Sequence, residues 1–289
     1  MTRKSPSPSL RSILFVNALV PDVLQDGAKS GADIVCLDLE DAVPSGRKAE
    51  GRSLGAAALQ SGPLEGVPSI AARINSLRSL DGVADILTCL ELRNSTLGVL
   101  VLPKVENSDE VRWAGTLADE ARSHLDLYAI VETNAGLENC AEIAKSHPRL
   151  KALLFGGFDL STALGCEMDW EPLLYARCRV VHAAATAGIE ALDSPFPDVL
   201  DLHALRVSAQ LARSLGMVGK AAKDVRQIAV IQEVFTPKSE EITRARKILE
   251  LFDADPSSSL VFEGKLIELP TIKRLRRISQ FDSTPTAFD

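Results

Sequence analysis

Eight short apolar runs, at residues 12–16, 34–39, 69–74, 97–102, 125–131, 152–155, 189–192 and 217–218, recur along the chain and alternate with stretches of helical composition. A spacing of roughly 20 to 35 residues leaves each interval room for one helix and two short connections. Helices are expected at 21–30, 48–59, 82–92, 109–123, 136–145, 173–187 and 203–214, with Gly31, Gly62-Pro63 and Gly188 as breakers. Eight such units make an α/β fold of the (β/α)8 TIM barrel type, for which a chain of 289 residues is long enough. An open doubly wound sheet is the rival. The barrel is preferred because the count reaches eight and because polar residues keep appearing at the same end of each unit.

From Lys238 the pattern changes. A helix over 239–252 is followed by a polar linker over 253–259 containing Pro256, an extended piece over 261–267 and a basic helix over 270–279. Together with a polar leader over 2–8, this divides the chain into a barrel domain, 1–235, and a C-terminal helical extension, 236–289. The extension either caps its own barrel or reaches onto a neighbouring subunit.

The strands end in charge. Val35-Cys36-Leu37-Asp38-Leu39-Glu40-Asp41-Ala42-Val43 runs from an apolar segment into three carboxylates within four residues. A solvated loop would explain this, but so would a ligand site, since barrels and open α/β sheets bind ligands beyond the carboxyl ends of their strands. The residues that follow the strands are Asp38, Glu40, Asp41, Arg73, Lys104, Glu132, Asp159, Asp193 and Lys220, and in a barrel all of them are expected to face one bowl. Glu132 and Asp159 are isolated acids from neighbouring units, a pair suited to Mg²⁺, which takes one or two protein carboxylates and fills its other positions with water and substrate oxygens. Gly156-Gly157 ahead of Asp159 allows the backbone to approach a ligand closely. Arg73 offers a planar fork for a carboxylate or enolate, or else bridges Asp38 or Glu40. Lys104 is expected to pair beneath the site with Glu40 or Asp41.

Several function classes are set aside. A net charge of -7, with Lys and Arg interspersed among acids, argues against nucleic acid as a partner. No run approaches the roughly 20 apolar residues of a membrane span, and the start of the chain lacks a secretory pattern, so a cytoplasmic protein with no membrane partner is expected. The five cysteines are far apart and mostly within apolar segments, which reads as reduced core thiols. The four histidines lie in or near expected helices, so a histidine general base is not favoured. No P-loop, Gly-x-Ser-x-Gly or Gly-x-Gly-x-x-Gly follows a strand.

Six motifs stand in an order that resembles the citrate lyase beta subunit family, whose wider group includes malyl-CoA and citramalyl-CoA lyases. They are Arg11-Ser12-Ile13-Leu14-Phe15-Val16, Leu37-Asp38-Leu39-Glu40-Asp41-Ala42-Val43, Arg73-Ile74-Asn75, Leu102-Pro103-Lys104, Val131-Glu132-Thr133 and Gly156-Gly157-Phe158-Asp159-Leu160. The resemblance runs from about Arg11 to Leu269. It implies a trimeric or hexameric barrel enzyme, that is a homotrimer or homohexamer, with Mg²⁺ held at Glu132 and Asp159 and the keto-acid or enolate end of the substrate at Arg73. Asp38 and Glu40 are then candidate proton acceptors. The stretch from Gly264 to Pro270 is similar to a family segment in which an Asp that serves a neighbouring active site as acid or base stands where this chain has Glu268. Arg177, Arg179 and Lys220 match stretches found in members that bind coenzyme A.

The chain departs from that pattern in two further places. Gly-Lys-x-x-Ile-His-Pro becomes Gly219-Lys220-Ala221-Ala222-Lys223-Asp224-Val225, and the Pro-Gly with nearby basic residues at the first strand becomes Asn17-Ala18-Leu19, with Asp26 where Lys is common. The resemblance implies a Mg²⁺-dependent carbon–carbon lyase that splits a 3-hydroxy-3-carboxyacyl-CoA thioester of the citramalyl-, citryl- or malyl-CoA type into an acyl-CoA and a 2-oxo acid. The alternatives are a class II aldolase acting on free 4-hydroxy-2-oxo acids and a non-catalytic relative that keeps the ligand site.

Overall fold

In the computed structural model, residues 10–20, 22–60, 69–92, 95–255 and 260–281 are described. The polar leader, Pro21 at the expected start of the first helix, the Gly62-Pro63 break and Pro256 of the linker lie outside them. The chain divides into two compact units, Met1–Phe235 and Thr236–Asp289.

The first unit is a closed barrel of eight parallel strands in sequence order. They are β1 (Ser12–Asn17), β2 (Ile34–Asp38), β3 (Ser69–Arg73), β4 (Leu97–Leu102), β5 (Asp126–Val131), β6 (Leu150–Phe155), β7 (Glu190–Asp193) and β8 (Gly219–Ala222). Pairing of Ser12, Ile13 and Leu14 with Lys220, Ala221 and Ala222 closes the ring. Side chains alternate along each strand, so one set fills the interior and the other meets the helices. Phe15, Tyr128 and Leu154 interdigitate inside with the smaller Cys36, Ala71, Ala152 and Ala221, which leaves a packed centre and no pore. Leu14, Leu37, Leu100, Ala129 and Leu153 point outward into the larger cluster shared with the helices.

The helices of this unit are α1 (Val23–Ala28), α2 (Lys48–Gln60), α3 (Leu80–Glu91), α4 (Ser108–Glu120), α5 (Asn134–Glu138), α6 (Cys140–Ala144), α7 (Gly157–Leu164), α8 (Leu174–Ala187), α9 (Leu202–Leu215) and α10 (Ile228–Phe235). Several begin at a residue whose side chain takes up the free N–H groups of the first turn. Ser79 Oγ accepts from Gly82 N at 3.0 Å, Thr133 Oγ1 from Gly136 N at 3.0 Å and Asp201 Oδ1 from Ala204 N at 2.8 Å. Thr133 directly follows Glu132, so its cap also fixes where that carboxylate leaves the barrel wall.

The structure departs from the sequence reading in four places. The single helix expected at 136–145 is two short ones meeting at Asn139. A helix, α7, begins at Gly157 where glycines of low helix propensity suggested only a loop. The last helix of the barrel is α10, whose apolar run was not assigned. The eighth strand is Gly219–Ala222 and not 217–218, so Lys220 lies inside the strand and not beyond it.

The second unit contains α11 (Ser239–Ala254), a hairpin of β9 (Leu260–Phe262) and β10 (Lys265–Ile267), and α12 (Leu269–Ser279). What reads in sequence as one extended piece is a two-residue turn at Glu263-Gly264, where both residues have positive φ (50° and 75°), the geometry that matches the twist of paired strands. Ala245, Ile248, Leu249, Phe262, Ile272 and Leu275 form its own core. Among the described residues no helix is long and apolar enough to cross a membrane.

The seam between β8 and β1 depends on an absent side chain. A Cβ at Gly219 would stand 2.1 Å from the Leu10 carbonyl oxygen and 2.6 Å from that of Arg11, both backbone atoms. Gly219→Ala is therefore expected to lower unfolding stability by about 1–3 kcal/mol, measured by urea denaturation, because the strand must shift to admit the methyl group.

Candidate active site

The register of the barrel brings Asn17, Asp38 and Arg73 side by side at the carboxyl ends of β1, β2 and β3. Arg73 is 5% exposed and binds Asp38 through both ends of its fork, Nε to Oδ1 at 2.8 Å and Nη2 to Oδ2 at 2.5 Å. Its Nη1 stands 3.0 Å from Glu40 Oε2 and 3.4 Å from Asp41 Oδ2, and the guanidinium lies 4.9 Å over the Phe15 ring. Burial opposes its charge, but Asp38, Glu40 and Asp41 hold Arg73 firmly protonated. Asp38 Oδ1 also accepts from the Glu40 backbone N–H at 2.9 Å, so both oxygens of Asp38 are occupied. The carboxylates of the 38–41 run are thus organised around one cation.

Lys104, just past β4, adopts φ 52°, a left-handed conformation that costs a residue with a side chain about 1–2 kcal/mol. In that conformation its backbone N–H donates to Glu132 Oε1 at 2.8 Å. Its ammonium is ion-paired to Glu40 and lies 3.4 Å from Asp41 Oδ1 and 3.9 Å from Asp159 Oδ1. Partial burial raises Asp41, but Arg73 and Lys104 outweigh it and hold Asp41 below the usual carboxylate range. Asn75 supports the same loop from behind, its Nδ2 donating to the Leu39 carbonyl at 3.0 Å and to Asp85 at 2.6 Å, while Asp85 is held by Arg52 at 2.5 Å.

Glu132 is 3% exposed. Burial, together with the nearby Glu40 and Asp159, pushes its carboxyl up to about 8, against the opposing pull of Arg73. Its Oε2 has no donor among the described residues and lies against Gly156, where a Cβ would stand 2.3 Å from the Glu132 Cβ and 2.6 Å from Oε2. A glycine at 156 is what lets the carboxylate lie there. Asp159 occupies the first turn of α7, where the helix dipole favours an anion, and its side chain is 40% exposed.

Glu132 and Asp159 line one cavity with Arg73, Asp41, Phe158 and Lys223; it encloses about 440 Å³ including its open mouth. Among the described residues no group of three or more His, Cys, Asp or Glu is arranged to hold a metal. Two carboxylates, one buried with an oxygen left without a donor and one partly exposed, fit a hard cation that takes its remaining oxygens from water and substrate. They do not fit a metal that needs a closed protein cage.

The structure does not bring every expected residue to the bowl. Asp193 and Lys220 are register partners on β7 and β8, and both side chains point away from the interior. Asp193 is fully buried, accepts from Arg177 Nε at 3.0 Å and is ion-paired to Lys220, whose Nζ also lies 3.2 Å from Ser208 Oγ on α9. The Arg177 guanidinium is stacked between Phe155 and Trp170, 4.6 Å from each ring. Burial raises Asp193, yet Lys220 and Arg177 more than offset it and keep the acid ionised. Arg177 and Lys220, expected to meet a cofactor phosphate, are therefore enclosed between the barrel wall and its helices. Arg179 ties α8 to the end of α5, its Nη1 3.1 Å from Glu138 Oε2 and its Nη2 2.9 Å from the Glu138 carbonyl. Glu268 belongs to the second unit, immediately before α12.

Sequence reasoning misses two residues of the mouth: Phe158 follows two glycines that read as loop, and Lys223 follows a strand whose weak propensity hides its end. Counting alternation from the true β8 would have found Lys223, two residues past the inward-facing Ala221.

A family model described as HpcH/HpaI aldolase/citrate lyase matches residues 11–224. The chain is 31% identical to an L-malyl-CoA/beta-methylmalyl-CoA lyase of Cereibacter sphaeroides, over 94% of this chain and 95% of the relative. It is 32% identical to the mitochondrial citramalyl-CoA lyase of Mus musculus, over 93% of this chain and 84% of the relative. Among solved structures it resembles the protein CitE from Mycobacterium tuberculosis, crystallised with magnesium, acetoacetate and coenzyme A, with a TM-score of 0.76, 26% identity and coverage of 93% and 97% of the two chains.

Two expected outcomes follow from this geometry. Glu132 holds its proton in the folded chain to about pH 8 but loses it near its ordinary 4.5 when unfolded. The stability this confers is complete below about pH 4.5 and is lost as pH rises through about 8. In metal-free buffer, Glu132→Gln should therefore gain thermal stability over the parent at pH 8 and little at pH 4.5, read from melting temperatures across the range. Asp193→Asn leaves two buried cations without a counter-charge and should cost about 3–5 kcal/mol in urea unfolding.

Proposed function

Belonging as it does to the HpcH/HpaI aldolase/citrate lyase family, the chain is a lyase, and we propose that it is a magnesium-dependent enzyme that splits a 3-hydroxy-3-carboxyacyl-CoA thioester into an acyl-CoA and a 2-oxo acid. The observation that carries this reading is the convergence of Glu132, Asp159 and Arg73 on one cavity at the carboxyl-terminal mouth of a closed barrel. The substrate class is that of the malyl-CoA, beta-methylmalyl-CoA and citramalyl-CoA lyases to which the chain is similar.

The reaction breaks the carbon–carbon bond between the carbinol carbon and the carbon next to the thioester. The electron pair of that bond passes into the thioester enolate, and the hydroxyl O–H pair becomes the new carbonyl bond. A base takes the hydroxyl proton, and the enolate carbon then accepts a proton. Magnesium held by Glu132 and Asp159, when bound, would polarise the oxygen that becomes the oxo-acid carbonyl. Asp38 has both oxygens spent on Arg73 and the Glu40 amide, and Glu40 is held between Arg73 and Lys104, so both position the cationic side of the site. Asp41 is the carboxylate of that run that lines the cavity, held ionised by Arg73 and Lys104 and able to receive the hydroxyl proton. The family resemblance leaves Glu268 as the proposed acid or base for the enolate carbon. The apolar Phe15, Ile130 and Leu154 line the inner part of the cavity and lower the local dielectric around these charges.

One observation favours a second reading. Arg177 and Lys220, two of the three residues expected to serve coenzyme A, are enclosed around Asp193. An aldolase that acts on free 4-hydroxy-2-oxo acids would need neither.

The test is direct. Purified protein with Mg²⁺ should release pyruvate, oxaloacetate or glyoxylate from citramalyl-, citryl- or malyl-CoA. Asp159→Asn should weaken Mg²⁺ binding at least about tenfold, the scale on which even outer-sphere changes act, and lower turnover with it. Release from none of the three thioesters overturns the lyase reading, and cleavage of free 4-hydroxy-2-oxo acids without coenzyme A establishes the second.

A further inference from the structure

Each cation of the mouth can be followed to its partners. Arg73 is engaged by Asp38, Glu40 and Asp41, and Lys104 by Glu40 with Asp41 and Asp159 close by. Lys223 differs. It lines the same cavity, and among the described residues no carboxylate lies within ion-pairing distance of its ammonium. Its chain neighbour Asp224 does not compete for it, because both Asp224 oxygens are taken by Arg226, at 2.8 and 2.6 Å, while Asp224 Oδ1 also caps the following turn. The Lys223 ammonium instead lies 5.2 Å over the Phe158 ring, a contact that holds a cation in place without neutralising it.

Charge balance gives this arrangement a purpose. Asp38, Glu40, Asp41, Glu132 and Asp159 gather five carboxyl groups around the mouth, and Arg73 and Lys104 are already committed to them. Lys223 helps hold Asp41 ionised from a distance, yet among the described residues lining the cavity it is the cation without an ion pair, and so the one a further substrate carboxylate can pair with directly.

We propose that Lys223, steadied on Phe158, receives the carboxylate of the 2-oxo acid and sets the preference of the site for substrates that carry one. Lys223, just past β8, and Arg73, at the end of β3, line the same cavity. This rests on the lyase or aldolase reading above. It concerns the carboxylate end of the substrate, not the phosphates of coenzyme A.

The experiment is calorimetric binding of pyruvate, oxaloacetate and glyoxylate to the full-length protein with saturating Mg²⁺, and of coenzyme A separately, for the parent, Lys223→Met and Lys223→Arg. Lys223→Met keeps the length of the side chain at an exposed position, and circular dichroism checks that it folds. Loss of a charged hydrogen bond should weaken 2-oxo acid binding about 10- to 100-fold, with coenzyme A affinity unchanged and Lys223→Arg largely restored. Parent-like affinity of Lys223→Met for the 2-oxo acids overturns the inference while leaving the lyase reading intact. Weakened coenzyme A binding with unchanged oxo-acid binding also overturns it and assigns the lysine to phosphate. A parent protein that binds none of the three acids overturns both.

Discussion

The bidentate contact between Arg73 and Asp38 is the interaction on which the mouth of the barrel depends. Two full charges are taken out of water, and such a pair is favourable only when every donor and oxygen is used. Here the parallel register of β2 and β3 sets the two side chains as neighbours, the Glu40 amide completes Asp38, and Glu40, Asp41 and the Phe15 ring complete Arg73. The three acids of the 38–41 run would repel one another without this centre. With it they fold back over the end of the strand and leave one face to the cavity.

The second constraint is how Glu132 is held. A buried carboxyl with raised proton affinity needs either a proton or a cation beside it, and its one donor among the described residues is the Lys104 amide. That amide is available because Lys104 accepts a left-handed backbone, and Oε2 has space because residue 156 has no side chain. Strain at one position and a missing Cβ at another thus serve a single carboxylate, in keeping with the tendency of costly backbone conformations to gather where ligands bind.

The architecture was legible because strand and helix lengths, and the repeated arrival of polar residues after apolar runs, carry the topology of a barrel openly. The places of Arg73, Glu132 and Asp159 were legible for the same reason, since each stands at or just past a strand end on the cavity side; within the acidic run the expectation fell on Asp38 and Glu40, whereas Asp41 is the carboxylate that lines the cavity. Asp193 was misplaced by alternation, since its neighbour Leu192 faces the interior, and Lys220 by a strand boundary. Gly219 and the two alanines after Lys220 have weak strand propensity, so the eighth strand was drawn over Met217 and Val218, where the apolar character is stronger. A shift of that size moves a lysine from inside a strand to its end and reverses the inference about what it faces. Helix α7 was hidden by its two leading glycines, and the Glu263-Gly264 turn by the assumption that a short apolar run continues as one strand.

The alternation of side chains along β7 and β8 makes the wall of the barrel two-faced. Asp193 and Lys220 meet the helices behind it, while Ala221 and then Lys223 turn toward the ligand. Neighbouring positions in the chain therefore answer to different demands, one set to keeping the scaffold intact and the other to choosing what it holds. Below the mouth the inward residues still fill the packed centre, so the freedom to revise chemistry belongs to the last inward position of each strand and the residues just past it.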